Sequence, residues 1–557
     1  MNAIKSFFIA ILCSFSALAL GAVEKQSYEG DIVIYGGTSG AVVSAIRAAQ
    51  SGKKVFLVSP DVNLGAMSSS GLGMTDSGNT AAIGGLSREF YKRVYLEYKN
   101  SSNWYAEKRS DFSGSGQGTK AIREDDKTMW IFEPRIALAV YKKWLAEYPN
   151  ITIHRGEYLD RENGVEKVGK IIKSITTLSG KKYSAKIFID ATFEGDLMAS
   201  AGCHYVVGRE SNEKYGEDFN GYRDTLRQNG HHFTAKVDPY KIKGDKSSGL
   251  LKYVSAEKPL RNGAADDKVQ AYNYRLCFTD FEPNKIPLPK PENYNPADYE
   301  LCGRWFEAYP DAFPLIISKM PNHKTDINNR QAFSTDFIGE NYNYPEASYE
   351  ERAKIVKAHK EYTLGLFHFW MTDPRTPQKF KDAIKNLGLP KDEFVDTGNW
   401  PFYLYIREAR RMVGDYVLTQ HDCQNSKVSP EPIGMGSYTL DSHNTSRFVD
   451  ENGFAQNEGD VQRSIGATGA YQISYGTIIP KREDCQNLFV ICAVSASHIA
   501  YGSLRMEPVF MVLGHSAAAA AVQCIDSGKV VQDADQWDLK KTLLKEKQIL
   551  WLPKKKK

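Results

Sequence analysis

The most ordered hydrophobic pattern in the chain is a pair of short, β-rich apolar runs, DIVIY over 31–35 and KVFLVS over 54–59. Between them lie a glycine-rich turn and a small-residue stretch, AVVSAIRAAQSG over 41–52. Apolar runs of this length bounded by glycine fit strands buried on both faces, and the stretch between them is long enough for a helix. Strand, turn, helix and strand within roughly 30 residues is the span of a βαβ unit, so a parallel sheet is predicted. Two later runs repeat the strand pattern. Ile187 to Ala191 ends in Asp190, Ala191 and Thr192, and Leu488 to Val494 leads through a turn to Ser503, Arg505, Met506, Glu507 and Pro508. Pro508 suits the first turn of a helix continuing through Ala521.

The turn after the first strand carries candidate chemistry. Gly36, Gly37, Thr38, Ser39 and Gly40 precede Ala41 and the helix. Glycines there let backbone approach a pyrophosphate, and the free N–H groups and positive dipole of the helix start stabilise its charge. With Gly36 as the first glycine of G-x-G-x-x-G, Thr38 stands at the second and Ala41 at the third. Either Thr38 leaves room for the phosphates or Gly37 and Gly40 take over that duty. Ser59 closes the second strand where an acidic side chain ordinarily holds a ribose hydroxyl, which passes that contact to a neighbour such as Asp61. GSGQG over 114–118 follows the polar run EKRSDFS, not a strand, so no second dinucleotide turn is predicted and nicotinamide use is disfavoured.

Directly after the second strand comes NLGAMSSSGLGMTDSG, 63–78. It resembles the second glycine-rich flavin-contacting segment of FAD-dependent oxidoreductases whose first domain is like that of glutathione reductase. FEPRIALAVYKKWLAE (132–147), AKIFIDATFEGDLMASAGCHYVVGRE (185–210) and NLFVICAVSASHIAYGSLRMEPVFMVLGHSAAAAA (487–521) are similar to the same family, as are VQAYNYRLCFTD (269–280), DINNRQAFSTDFIG (326–339), YIREARRMVGDYVLTQHDC (405–423) and SYTLDSHNT (437–445). The resemblance implies an α/β fold: a Rossmann FAD-binding domain, first part 30–210 and last part 469–525, interrupted by a large inserted α+β substrate or cap domain, 211–468, with a tail over 526–557. It implies non-covalent FAD as cofactor, contacted by Gly36, Gly37, Thr38, Ser39, Gly40, Ala41, Ser59, Gly65, Ala66, Met67, Ser70, Gly71, Ala191, Thr192, Met506 and Pro508. The last helix is expected to point its amino terminus at the flavin ring, where it favours negative charge on the reduced ring.

Composition narrows the partners. Of 557 residues, 71 are Lys or Arg and 67 Asp or Glu, a net charge of +4 that gives no polyanion-binding imbalance, so nucleic acid is not expected. Lys5 followed by an apolar run from Phe7 to Leu20, ending in Ala17, Ala19, Gly21 and Ala22, reads as a secretory leader over 1–22, and predicts a periplasmic or extracellular protein without a stable membrane span. Without that leader seven cysteines remain, widely spaced and odd in number, with no Cys-x-x-Cys pair. They form no disulfide scaffold, zinc ribbon or dithiol relay, and at least one thiol stays free. No His-Glu-x-x-His spacing suggests a metal.

Flavin chemistry needs a donor carbon brought to the ring and one proton managed. The candidate bases are His498, after the last strand, and His443, in DSHN, while Arg505 is placed to fix a substrate oxygen or stabilise reduced flavin. His231 and His232 read as loop residues. Aromatic side chains clustered with Asn, Asp, Arg and His in the inserted segment suit a polyhydroxylated small molecule, and carbohydrate-derived alcohols are the expected substrate class, with the electron acceptor unassigned. Two other readings stay open: a polysaccharide lyase or hydrolase using carboxylates such as Asp326, Asp336, Asp422 and Asp441, and a non-catalytic binding protein on the same fold.

Overall fold

The computed structural model describes residues 26–117, 119–225 and 230–552. The expected leader, the terminal lysine run and the last glycine of GSGQG lie outside the described residues. The first apolar run forms β1 (Ile32–Tyr35), α1 spans Ser39–Gln50, and the second run forms β2 (Val55–Ser59). Helices α2 (Gly85–Glu97) and α3 (Pro134–Ala146) follow, then β3 (Ile151–Arg155) and β4 (Ile187–Asp190). An antiparallel sheet of Val165–Val168, Ile171–Thr176 and Lys182–Ser184 connects β3 to β4 and pairs in parallel with Ser27–Glu29.

Within 211–468 stand β5 (Leu276–Thr279), β6 (Leu315–Met320), β7 (Lys324–Asn329) and the long helix α4 (Tyr349–Thr372). The chain then returns as β8 (Leu488–Val490), α5 (His498–Leu504) and α6 (Glu507–Ser527). The main sheet has the order β8-β4-β1-β2-β3, every neighbouring pair parallel. Strands 3 to 5 residues long make up the sheet, all but the edge strand β3 are buried on both faces, and the two-residue alternation divides them. Ile32, Ile34, Leu57 and Ile189 join the apolar cluster that holds α1 and α6, whereas Val33, Tyr35, Val58 and Phe188 join a second cluster with Ile172, Ile175 and Tyr183 of the antiparallel sheet.

Small residues set the crossing of α1 and α6. A Cβ at Gly514 would come within 2.4 Å of the Gly40 carbonyl, and the Ser44 hydroxyl donates to the carbonyls of Gly40 (2.8 Å) and Gly514 (3.0 Å). By length and composition α6 is the one helix among the described residues able to cross a membrane, yet nearly all of it is buried in the core.

The inserted region is a mixture of helix and antiparallel strand: β5, β7 and β6 pair in that order. It does not stand off from the sheet, because Tyr272, Phe333 and Trp370 belong to the same apolar cluster as Ile32 and Met511. Tyr205–Val206 also pairs antiparallel with Arg411–Met412 across the junction.

Candidate active site

Gly36 sits at φ +128°, and a Cβ there would meet the Ala191 carbonyl oxygen at 2.5 Å. A Cβ on Gly37 would meet the Ser59 hydroxyl at 2.4 Å. The turn is therefore pressed against the ends of β4 and β2, which only glycine allows. Thr38 settles the departure from the glycine motif by turning its side chain inward. Its hydroxyl accepts from the Ala41 N–H (3.2 Å), capping α1, and donates to the Ala191 carbonyl (2.8 Å). Backbone of Gly37 and Thr38 then faces a cavity of about 380 Å³, on whose wall lie Asp61, Thr192 and Tyr403. Gly40 and Ala41 face the helix packing instead, and Ser39 is buried in the first turn. No acidic residue of α1 itself occupies that first turn, which leaves its positive end to attract an anion. This donor set fits a pyrophosphate.

Ser59 lies buried behind Gly37, and its hydroxyl accepts from the Asp61 N–H (3.0 Å). Asp61 shares the cavity wall with Glu194 and Asp196, and its carboxyl is pushed up to about 8 by burial and then by Glu194.

The segment over 63–78 is packed, not a loose loop. Gly65, at φ +100°, donates its N–H to the Gly37 carbonyl (2.7 Å) and starts the short helix Ala66–Ser69. Its hydroxyls bind inward: Ser68 pairs with the Tyr141 hydroxyl (2.8 Å), and Ser70 accepts from the Tyr403 N–H (2.8 Å). A Cβ at Gly71 would strike the Arg275 carbonyl at 1.9 Å, so the backbone here touches the inserted region directly. Met67 is fully buried in the same cluster.

A second cavity, about 620 Å³, is lined by Arg275, Tyr405, Asp441, His443, Arg505 and His231, among others. The wall between the two cavities is extended chain: Tyr274 and Leu404 face the first, Arg275 and Tyr405 the second, joined by the bridge from Asn273 to Tyr405. Arg505 donates to the Tyr405 hydroxyl (2.6 Å) and to Asp441 Oδ2 (2.7 Å). Immediately after it, Met506 precedes α6 with extended backbone and no side-chain cap, and Pro508 sits in the first turn.

His443 is the histidine the geometry favours. Its Nδ1 lies 2.8 Å from Asp336 Oδ2, and Arg407 lies 3.0 Å from the other oxygen. Although burial opposes ionisation, Arg407 and His443 keep Asp336 below the usual carboxylate range. Burial, then Arg407, drives the His443 imidazole down to about 4, so the ring is neutral at pH 7. Nδ1–H then donates to Asp336 and Nε2, 3.7 Å from Asp441, is left to accept.

His498 lies elsewhere. Its Nδ1 is 2.7 Å from Glu408 and its Nε2 is 3.1 Å from the Ser442 hydroxyl, with Arg411 bound to the same Glu408. It faces neither cavity and belongs to a buried polar network that holds the start of α5. His231, expected as a loop residue, is instead buried on the second cavity's wall, its ring centroid 6.4 Å from that of His443. Burial lowers its basicity, but Asp460, 3.4 Å away, outweighs that and raises it. The polar sequence around it gave no period by which to place it. The scattered carboxylates form no acid/base pair: Asp326 is bound by Arg275, Asp336 by Arg407 and His443, and Asp422 caps the helix Gln420–Cys423.

A parallel sheet with a glycine turn at a helix start, a loop laid across it and a polar cavity beyond defines a dinucleotide-binding α/β enzyme. The chain belongs to the family described as FAD dependent oxidoreductase, whose sequence profile matches residues 31–543; it is an FAD-dependent oxidoreductase, and FAD is its cofactor. No curated protein matches the sequence. Among solved structures it is similar to E. coli quinol fumarate reductase (12% identity, TM-score 0.29, covering 94% of this chain and 74% of that one). It is also similar to L-proline dehydrogenase from P. horikoshii (14%, TM-score 0.16, 35% and 26%) and T. acidophilum thioredoxin reductase (16%, TM-score 0.17, 29% and 34%). The match spans only 26% of the proline dehydrogenase chain and 42% of the chain of P. aeruginosa PqsL, a further similar structure (9% identity, TM-score 0.18, 29% of this chain). At these scores the likenesses carry no argument about substrate.

Proposed function

We propose that this FAD-dependent oxidoreductase takes a hydride from an alcohol carbon of a small polyhydroxylated, carbohydrate-derived substrate held in the second cavity. The observation that carries the reading is the Asp336–His443 pair, which presents a neutral imidazole Nε2 to a polar cavity beside Arg505. FAD, when bound, supplies the two-electron acceptor. Gly37, Thr38 and the start of α1 would hold its pyrophosphate, Asp61 its ribose, and the amino end of α6 at Met506 and Pro508 would favour negative charge on the ring. His443 Nε2 accepts the hydroxyl proton of the substrate, and Asp336 fixes the tautomer and carries the charge that forms. Arg505, anchored by Asp441 and Tyr405, stabilises negative charge on the substrate oxygen. Asn328, Asn329 and Gln462, on the same wall, offer hydrogen bonds to further hydroxyls.

Residues 1–22 serve as an export leader in this reading, and the electrons pass to an acceptor outside the cytoplasm. The test is anaerobic incubation of the FAD-loaded protein with a panel of sugars, sugar alcohols and uronates. Bleaching of the flavin by one of them, lost in His443→Gln, is the expected outcome. A flavin that stays yellow with the whole panel while a chemical reductant bleaches it overturns the substrate class.

A further inference from the structure

Seven cysteines lie among the described residues, all buried. Two of them, Cys203 and Cys485, come together although roughly 280 residues separate them in sequence. Cys203 follows the helix Asp196–Ser200, just before the chain leaves the main sheet for the inserted region. Cys485 stands just before β8, where the chain returns.

The two segments are laced on both sides of the thiols. His204, next to Cys203, donates its backbone N–H to Asp484 Oδ2 (3.1 Å), and its ring Nδ1 lies 2.8 Å from Asp484 Oδ1. Lys167 Nζ ties the Ala201 carbonyl (2.6 Å) to the Asp484 carbonyl (2.8 Å). Both thiols belong to the apolar cluster under the sheet, Cys203 4% and Cys485 0% exposed, and each shifts the pKa of the other, that of Cys203 upward and that of Cys485 downward.

From this juxtaposition we propose that Cys203 and Cys485 form a disulfide that closes the base of the inserted region, fastening the chain where it leaves the sheet to the chain where it returns. The chemistry balances with a disulfide oxidant such as oxidised glutathione. One protein thiolate attacks the oxidant and releases one thiol, and the second protein thiolate displaces the other. Two protein thiols are oxidised, one external disulfide is reduced to two thiols, and both protein protons end on the released thiols. Burial of both sulfurs places the reaction during folding, before the segments close, and shields the bond afterwards. The remaining five thiols, Cys277, Cys302, Cys423, Cys492 and Cys524, stay reduced. This inference is independent of the substrate reading, since neither sulfur lines either cavity.

The test uses the full chain with FAD, unfolded in reductant and refolded in a mixture of oxidised and reduced glutathione, in parallel with holoenzyme produced in a bacterial periplasm. Each sample is alkylated without reduction and mapped as peptides. The expected result is a cross-linked peptide joining Cys203 to Cys485, two hydrogens lighter than the reduced pair, and a Tm several degrees higher than after dithiothreitol. Cys203→Ser should bind FAD and show no response to dithiothreitol. Where that variant does not fold, the peptide map of the unmodified chain decides. Alkylation of both cysteines in the unreduced samples, or a different pairing, overturns the proposal.

Discussion

At the scale of single residues, the proposed chemistry depends on a histidine that stays neutral well below its ordinary range. The unprotonated ring is the one that accepts a proton, so activity should persist as pH falls and be lost only as His443 protonates near its value of about 4. Log kcat/KM against pH checks this: an acid limb centred near 6.5 would place the titrating base elsewhere. His443→Gln should lower kcat by about 10²–10⁴-fold while leaving the flavin spectrum unchanged. Sequence named His443 and Arg505, and both line the second cavity. It named His498 for its place after the last strand, seven residues before Arg505, but order along the chain does not say which way a side chain faces. The first residue of α5 points to Glu408 and away from the cavity. His231 was invisible as a wall residue because its burial depends on Asn444 and Asn457, both of which donate to its carbonyl from more than 200 residues away.

At the scale of elements, the βαβ start was legible almost to the residue. Apolar period, glycine and small helix residues all point to one structure, and the strands close at Tyr35 and Ser59 as read. Thr38 looked like a defect in the motif because a regular pattern of glycines says nothing about caps; in the structure its hydroxyl does the capping. Thr38→Ala should therefore cost about 1 kcal/mol of stability and weaken FAD binding, and Thr38→Ser should preserve both. Thermal unfolding and a flavin titration decide, and an unchanged Thr38→Ala protein removes the cap from the argument. The α1–α6 crossing makes a second claim. In Gly514→Ala the new methyl would lie 2.4 Å from the Gly40 carbonyl and 2.8 Å from the Ser44 hydroxyl. Rigid backbone on one side leaves the helices to separate, a cost of about 1–3 kcal/mol. Because α1 then moves against the turn, FAD affinity should fall together with Tm. A drop in Tm at unchanged flavin affinity would mean that the two helices shift without moving the turn.

For the molecule as a whole, the parallel sheet and its long interruption could be read from where the apolar runs stop and resume. The shared core could not, since Tyr272, Phe333 and Trp370 reach the main cluster through contacts that no local pattern encodes. That shared core buries many ionisable groups, and their opposing shifts set the pH response of the apoprotein. Glu507, at the head of α6, is pushed up to about 8 by burial, and Asp190 to about 6, burial outweighing the hydrogen bonds it accepts from Thr192 and Met198. A carboxyl whose folded value is raised binds its proton more tightly when folded. Its contribution is complete below the unfolded value and is lost as pH rises through the folded value, so Asp190 destabilises the fold progressively from pH 3.8 to about 6 and Glu507 from 4.5 to about 8. Carboxyls held low act in the opposite direction. Glu210, brought down to about 2 by Arg411 against the cost of burial, and Asp196, brought down by Arg352, lose their contribution as pH falls below about 4.5. The Tm of the flavin-free protein should therefore peak near pH 5 and decline on both sides. Glu507→Gln, which stays neutral at every pH, should reduce the decline between pH 5 and 8 by a few kcal/mol at most, each pKa unit being worth about 1.4 kcal/mol. A Tm that rises from pH 5 to 8, or an alkaline decline untouched in Glu507→Gln, would show that Glu507 ionises in the folded state at its ordinary value, with water or a cation reaching the start of α6.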